Sequence, residues 1–160
     1  MEVARSQAEI VISQRKYVLK LLKETRMQGC KPEETPMDSN LKFQKDDEGI
    51  PANKQQYLKL VGKLIYLSLT RPNIALLVGI VSQHMNDPRE EHLEAIQRII
   101  RYLKMTPGHG LIFKKNHIRK VEVYSDASWA GELTNRRSTT SGYCTLIWEI
   151  WLHGEARSKQ

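Results

Sequence analysis

Asp126 ends a short alternating run in which Val121, Val123 and Ser125 share one parity and Glu122, Tyr124 and Asp126 the other. That pattern predicts a β-strand with one carboxylate near its end. Taken alone, such a carboxylate is solvated or caps a turn. A polar turn from Gly131 to Arg137 follows, then a second β-rich run from Ser141 to Ile147, so the local expectation is a hairpin. Other chemistry-bearing residues are dispersed. His84, His92, His109, His117 and His153 form no HExxH or paired-ligand spacing and read as surface or packing histidines. Cys30 and Cys144 form no CxxC or Cys/His spacing, which argues against a zinc site and against a disulfide framework. No Ser/His/Asp order stands out, and Gly108-His109-Gly110 is a turn rather than a phosphate loop. Trp129 and Tyr143 could stack on bases; packing against the hairpin is the competing reading.

The elements that must position these groups are bounded by length and charge. A chain of 160 residues, 40% hydrophobic, holds one domain or two small ones. The net charge of +7 and pI near 9.5 suit a polyanionic partner without establishing one. By segment the charge is about +3 over 1–30, −2 over 31–56, +3 over 57–105 and +3 over 106–160, an excess spread along the sequence. The longest apolar run, Ile74 to Val81, is too short for a bilayer, and the N-terminus lacks the layout of a signal peptide. The expectation is a soluble intracellular protein, cytoplasmic or nuclear, with no membrane partner.

Taken in order, residues 1–13 are mixed, with a short apolar run at Ile10–Ile12 that suits a strand. Ser13 is positioned to cap a helix from Gln14 to about Met27, whose apolar stripe is Tyr17, Val18, Leu21 and Leu22, with Gly29 ending it. Lys16, Lys20 and Lys23 lie on its other face and read as solvated. Residues 30–53, with Pro32, Pro36, Pro51 and Gly49 among acidic residues, have linker character and suggest a boundary. Three helices follow. The first, Lys54 to Leu69, carries a stripe of Tyr57, Leu60, Val61, Leu64 and Ile65. The second, capped by Asn73, spans Ile74 to about Met85 and is apolar on most sides, so burial is expected. The third opens on Asp87-Pro88-Arg89-Glu90, an N-cap carboxylate with proline at the first helical position and glutamate at the third. Its core stripe is Leu93, Ile96, Ile99, Ile100 and Leu103; Arg98, Arg101 and Lys104 point elsewhere. Thr106-Pro107-Gly108 stops it, and a short strand, Leu111 to Lys114, precedes the hairpin.

Several of these segments resemble one family. Tyr-Ser-Asp-Ala-x-Trp-Ala-Gly at 124–131 and Arg-Arg-Ser-Thr-Thr-Ser-Gly-Tyr-Cys at 136–144 look like the opening of the ribonuclease H domain in Ty1/copia-type retrotransposon Pol polyproteins. SQRKYVLKLLKET, CKPEETPMD, YLKLVGKLIYLSLTRPNI and SQHMNDPREEHLEAIQRIIRYLKMTPGHGL stand in that family's order and spacing, and Met1-Glu-Val-Ala-Arg-Ser matches the run after its polymerase palm. The likeness covers residues 1 to about 148. It implies the end of the reverse transcriptase at 1–29, a polar linker at 30–53 and a three-helix thumb/connection-like module at 54–110. Residues 111–148 would then be the N-terminal part of a ribonuclease H-like domain. Asp126 would be the first metal-binding carboxylate, serving Mg2+ in the intact family. Two departures are Ser128 and Asn73, where the family usually has carboxylates. The polymerase's Asp-Asp motif lies upstream in the family and is absent from this sequence.

Ribonuclease H chemistry uses two metal ions about 4 Å apart held by several carboxylates. Glu122 shares Asp126's parity, but four strand residues separate them by roughly 13 Å, so Asp126 is expected to be a vestigial ligand of an incomplete site. The tail departs from the family altogether. Where the family reads roughly Gly-Asn-Leu-Val-Thr-Trp-Arg-Ser-Lys-Lys-Gln, residues Glu149 to Lys159 read Glu-Ile-Trp-Leu-His-Gly-Glu-Ala-Arg-Ser-Lys. Codons for the family peptide, read one base later, give this second peptide, so 149–160 is expected to be an out-of-frame tail. The sequence expectation is therefore an α+β remnant of a Pol polyprotein: a helical thumb-like module, then the first strands of a truncated ribonuclease H-like sheet. It should be catalytically inactive alone and need no cofactor as it stands. Weak, sequence-independent contact with an RNA–DNA or DNA duplex would run through Arg98, Arg101, Lys104, Lys114 and Lys115. The alternative is a host nucleic-acid-binding module built on the basic helices.

Overall fold

Helix α1 (Arg15–Glu24) begins one residue later than the sequence suggests, because Gln14 rather than Ser13 takes the N-cap position. Gln14 makes no capping bond to the helix; its side chain is buried and its Oε1 accepts from Thr70 Oγ at 2.8 Å. The helix ends at Thr25, well before Gly29, in a Schellman arrangement. Met27 N–H donates to the Leu22 carbonyl at 2.9 Å and Arg26 N–H to that of Lys23 at 3.1 Å. This places Arg26 at φ 57°, a left-handed conformation usually taken by glycine. The computed structural model describes residues 1–37, 49–114, 121–129, 139–147 and 150–159, with side chains for the first two stretches.

Helix α2 (Lys54–Ser68) is capped by Asn53, whose side chain accepts from Gln56 N–H at 3.0 Å. Its buried stripe is Tyr57, Leu60, Val61, Leu64 and Leu67. Ile65, expected inside, is 45% exposed, because the stripe continues three residues on from Leu64 rather than one. The Tyr57 hydroxyl donates to the Val81 carbonyl at 2.6 Å, tying α2 to α3, and burial pushes that phenol up to about 12.

Helix α3 (Pro72–Ser82) starts with proline in its first turn and Arg71 at the N-cap. Asn73 is inside the helix and donates to the Tyr102 hydroxyl, so the expected Asn73 cap is replaced by proline chemistry. Ile74, Leu77, Val78 and Val81 are buried, but Leu76 is 76% exposed: α3 lies at the edge of the core with one face open. Arg71 is almost wholly buried. Its guanidinium donates to the Thr106 carbonyl at 2.6 Å and to Thr106 Oγ at 2.8 Å, which stitches the α2–α3 corner to the end of α4. A cation at a helix C-terminus also suits the negative end of its dipole.

Helix α4 (Glu90–Met105) starts two residues after the expected proline, with Arg89 at the N-cap. The side chain that reaches back is His92, whose Nδ1 accepts from Arg89 N–H at 3.0 Å, the role proposed from sequence for a glutamate. Asp87 instead accepts from the Arg89 guanidinium at 2.6 Å. The core stripe is as anticipated: Leu93, Ile96, Ile99, Ile100 and Leu103 are all buried.

One apolar cluster contains residues from all four helices, including Val18, Leu21 and Leu22 of α1. The boundary expected in 30–53 does not divide them. Met1–Ala4 with Val11–Leu111 forms one compact unit, and Arg5–Ile10 with Ile112–Gln160 the other. Polar composition misleads here because both described ends of the stretch are pinned to α4. Ala52 N–H donates to the Pro88 carbonyl and Glu90 N–H to that of Ile50, both at 2.9 Å, while residues 30–37 are held further along the helix.

The described strands form two sheets. In the first, β1 (Glu2–Arg5), β2 (Glu9–Ser13) and β3 (Gly110–Lys114) lie in that order. The strand expected at Leu111–Lys114 therefore pairs with the N-terminal strands rather than leading into the hairpin's sheet. In the second sheet, β4 (Val121–Trp129), β5 (Thr139–Ile147) and β6 (Ile150–Lys159) are antiparallel neighbours in sequence order, with a register shift between Thr145 and Leu146. The hairpin is thus present, and the tail extends it as a third strand.

Candidate nucleic-acid interface

Three of the cations singled out from sequence project from the second half of α4, and all three are engaged within the chain. Arg98 donates to Thr35 Oγ at 3.1 Å and to the Thr35 carbonyl at 3.3 Å, and lies 3.5 Å from a Glu33 carboxylate oxygen. The other Glu33 oxygen is 3.4 Å from Arg101 Nε. Lys104 Nζ donates to the Cys30 carbonyl at 2.5 Å. Glu33 N–H completes the strap by donating to the Arg101 carbonyl at 3.5 Å. The side chains of Arg98 and Arg101 are 25% and 31% exposed, so these charges are partly desolvated and share one carboxylate. Their spacing puts them on one helix face, as read from the sequence. What sequence reasoning missed is the partner: Glu33 and Thr35 sit more than sixty residues away, in a stretch whose composition suggests a linker.

Lys114 is exposed at the end of β3. Lys115 falls outside the described residues. Asp126 lies in β4 with Gly142 as its cross-strand partner. The other acid of the strand is Glu122, roughly 13 Å away along it. The donor set of β4 therefore does not fit a Mg2+ pair, and no catalytic step is assigned to it. Among the residues described with side chains, no three His, Cys, Asp or Glu side chains gather as a metal site.

The histidines His84 and His92 do come together. Their rings stack at 3.8 Å with planes 20° apart, at the entry to α4. Burial pulls the His92 imidazole down to about 4, assisted by repulsion from His84 and Arg89 and opposed by Asp87. Burial also lowers His84, with Glu91 opposing. Both rings are neutral at neutral pH, which makes them packing and capping groups. The sequence signal that could have found the pair is their i, i+8 spacing across a helix start, too weak to act on alone.

No helix among the described residues is long and apolar enough to cross a membrane. No family model matches the chain, and no solved structure matches it. Curated relatives do. The retrovirus-related Pol polyprotein from transposon RE1 of Arabidopsis thaliana is 41% identical over 147 residues, which is 92% of this chain and 10% of that protein. The Pol polyprotein from transposon TNT 1-94 of Nicotiana tabacum is 37% identical over 147 residues, 87% of this chain and 11% of that protein. An uncharacterized mitochondrial protein of Arabidopsis thaliana is 31% identical over 93 residues, 58% of this chain and 82% of its own length. The chain thus spans about a tenth of the transposon polyproteins it matches.

Proposed function

The chain belongs to the retrovirus-related Pol polyprotein family of Ty1/copia-type transposons, and we propose that it corresponds to the end of the reverse transcriptase and the start of the ribonuclease H domain. In this reading the helical unit is thumb- and connection-like and contacts a nucleic-acid duplex through phosphates, while β4 and β5 are the first ribonuclease H-like strands. The observation that carries the reading is the continuous match over 92% of the chain, combined with the net charge of +7. These 160 residues supply one carboxylate at the expected nuclease position, Asp126, and so hold a duplex without cutting it. Mg2+ belongs to the more complete carboxylate set of the intact family.

Two measurements test this. The purified chain should bind an RNA–DNA hybrid at low salt, independently of sequence, and lose affinity as salt rises. Incubation with Mg2+ should leave the hybrid intact. Cleavage abolished by Asp126→Asn would refute the incomplete-site reading. A second reading, a stand-alone host nucleic-acid-binding module, draws on the short mitochondrial relative, most of whose length is covered by a match to part of this chain. It differs in expecting the isolated helical unit to bind as tightly as the whole chain.

A further inference from the structure

Among the four described helices the positive charge is concentrated on two. From Arg15 to Arg26 there are five cations and one carboxylate, Glu24; α2 carries Lys54, Lys59 and Lys63 and no carboxylate. Together these two segments hold +7, equal to the charge of the entire chain. Helix α4 is neutral by comparison, with Glu90, Glu91 and Glu94 balancing Arg98, Arg101 and Lys104. The acidic stretch between α1 and α2 hides this grouping from any segment-by-segment count.

Two side-chain contacts link the two basic helices. Tyr17 meets Tyr66 edge-on at 5.0 Å, and Lys63 forms an ion pair with Glu24, so α1 and α2 pass each other in opposite senses. A groove of about 490 Å³ is lined by the end of α1 and the turn after it, by α2 and by α4, with Leu60 and Ile100 as apolar lining, Gln56 and Gln97 as amides, and Arg26, Lys59 and Lys63 as cations. Lys20 reaches Glu24 from the other side at 3.9 Å. Glu24 thus sits among three lysines, Lys20, Lys59 and Lys63. Its carboxyl is held below the usual range by its hydrogen bond to Lys63, then by the charges of Lys63, Lys20 and Lys59, with desolvation opposing. Lys20, Lys23, Arg26 and Lys59 are exposed. Like charges gathered around a groove repel one another, and a polyanion relieves that repulsion. The α4 cations lack this bias, because Glu33 already neutralises part of their charge.

We propose that the sugar–phosphate backbone of the nucleic acid docks on the α1/α2 groove, through Lys20, Lys23, Arg26 and Lys59, and not on the α4 cations. This rests on the nucleic-acid reading above and changes where the contact is made. Four phosphate contacts imply a slope of log affinity against log salt of about −3.6 for a duplex.

The test uses the full chain and a short RNA–DNA hybrid, with fluorescence anisotropy between about 50 and about 200 mM salt. The triple substitution Lys20→Gln, Lys23→Gln and Lys59→Gln should bring the slope to about −1. The surface positions involved should leave the helical circular dichroism unchanged. Arg98→Gln with Arg101→Gln should leave the slope as it is in the unaltered chain. Glu24→Gln, which removes the carboxylate that Lys63 and Lys20 now pair with, should tighten binding and steepen the slope. A slope that survives the triple substitution, or is lost in the α4 pair, overturns the proposal. An unaltered chain that fails to bind at about 50 mM salt refutes the nucleic-acid reading itself, and this inference falls with it.

Discussion

Arg26 occupies a backbone conformation that its own side chain disfavours. At φ 57° its Cβ crowds the following carbonyl, a strain of about 1–2 kcal/mol for a residue other than glycine. Arg26→Gly should therefore stabilise the helical unit by about 0.5–1 kcal/mol in urea unfolding, while weakening binding to the RNA–DNA hybrid. No change in stability would mean that the Schellman end is not formed in solution. A second local prediction concerns pH. His92 is lowered to about 4, so between pH 6.5 and about 4 the unfolded chain binds a proton there that the folded chain refuses; His84 is lowered as well, in the same sense. The His92 contribution is complete above pH 6.5 and is lost as pH falls through that window, at up to about 1.4 kcal/mol per unit, and His84 adds to the loss in the same direction. His92→Gln keeps an acceptor for the Arg89 N–H and should flatten the pH dependence of the urea midpoint over that window. An unchanged slope would place the acid sensitivity in the carboxylates instead.

The 3.6-residue period was readable from the sequence, and all four helices lie where their stripes indicate; the ends were not readable. Propensity rules rank Ser13, Asn73 and Asp87 as caps, yet Gln14, Arg71 and Arg89 occupy those places. Each exception has a tertiary cause. Gln14 bonds Thr70 across 56 positions, Arg71 is drawn into the end of α4, and Arg89 takes the N-cap beside Pro51, with which it forms a β-bridge. Local sequence carries no record of such partners. The same limit hid the strap on α4, since Glu33 reads as one more acid in a polar stretch. Strand β3 offers a test of close approach. A Cβ built on Gly110 would stand 2.1 Å from the Ile12 carbonyl oxygen, and backbone cannot swing aside as a side chain can. Gly110→Ala should cost about 1–3 kcal/mol by pushing β3 from β2. Gly62→Ala, in an exposed helical site with nothing within 4 Å, should stabilise by about 0.5–1 kcal/mol in the same background. Equal effects at the two glycines would show that the close approach does not occur.

Composition suggests a helix, a linker and a separate three-helix module, whereas packing makes α1 a full member of one core. Val18, Leu21 and Leu22 are each at most 3% exposed, and α1 and α4 contribute to the same apolar cluster. Burying a leucine stabilises by about 1.5–3 kcal/mol, and truncating one leaves a cavity, so Leu21→Ala should cost about 2–5 kcal/mol. The informative measurement is where that loss is felt. If the four helices open cooperatively, hydrogen exchange in the Leu21→Ala chain should accelerate by the same factor in α1, α2 and the buried turns of α4. If α1 is an appendage joined by a linker, only its own amides should speed up and residues 54–105 should keep their protection. The second pattern would restore the boundary that composition suggests. It would also weaken the proposed groove, whose walls must keep a fixed spacing for Lys20, Lys23 and Lys59 to engage one backbone. The first pattern would mean that the basic face is held together by the core beneath it, Ile100 of α4 serving both as core and as groove lining.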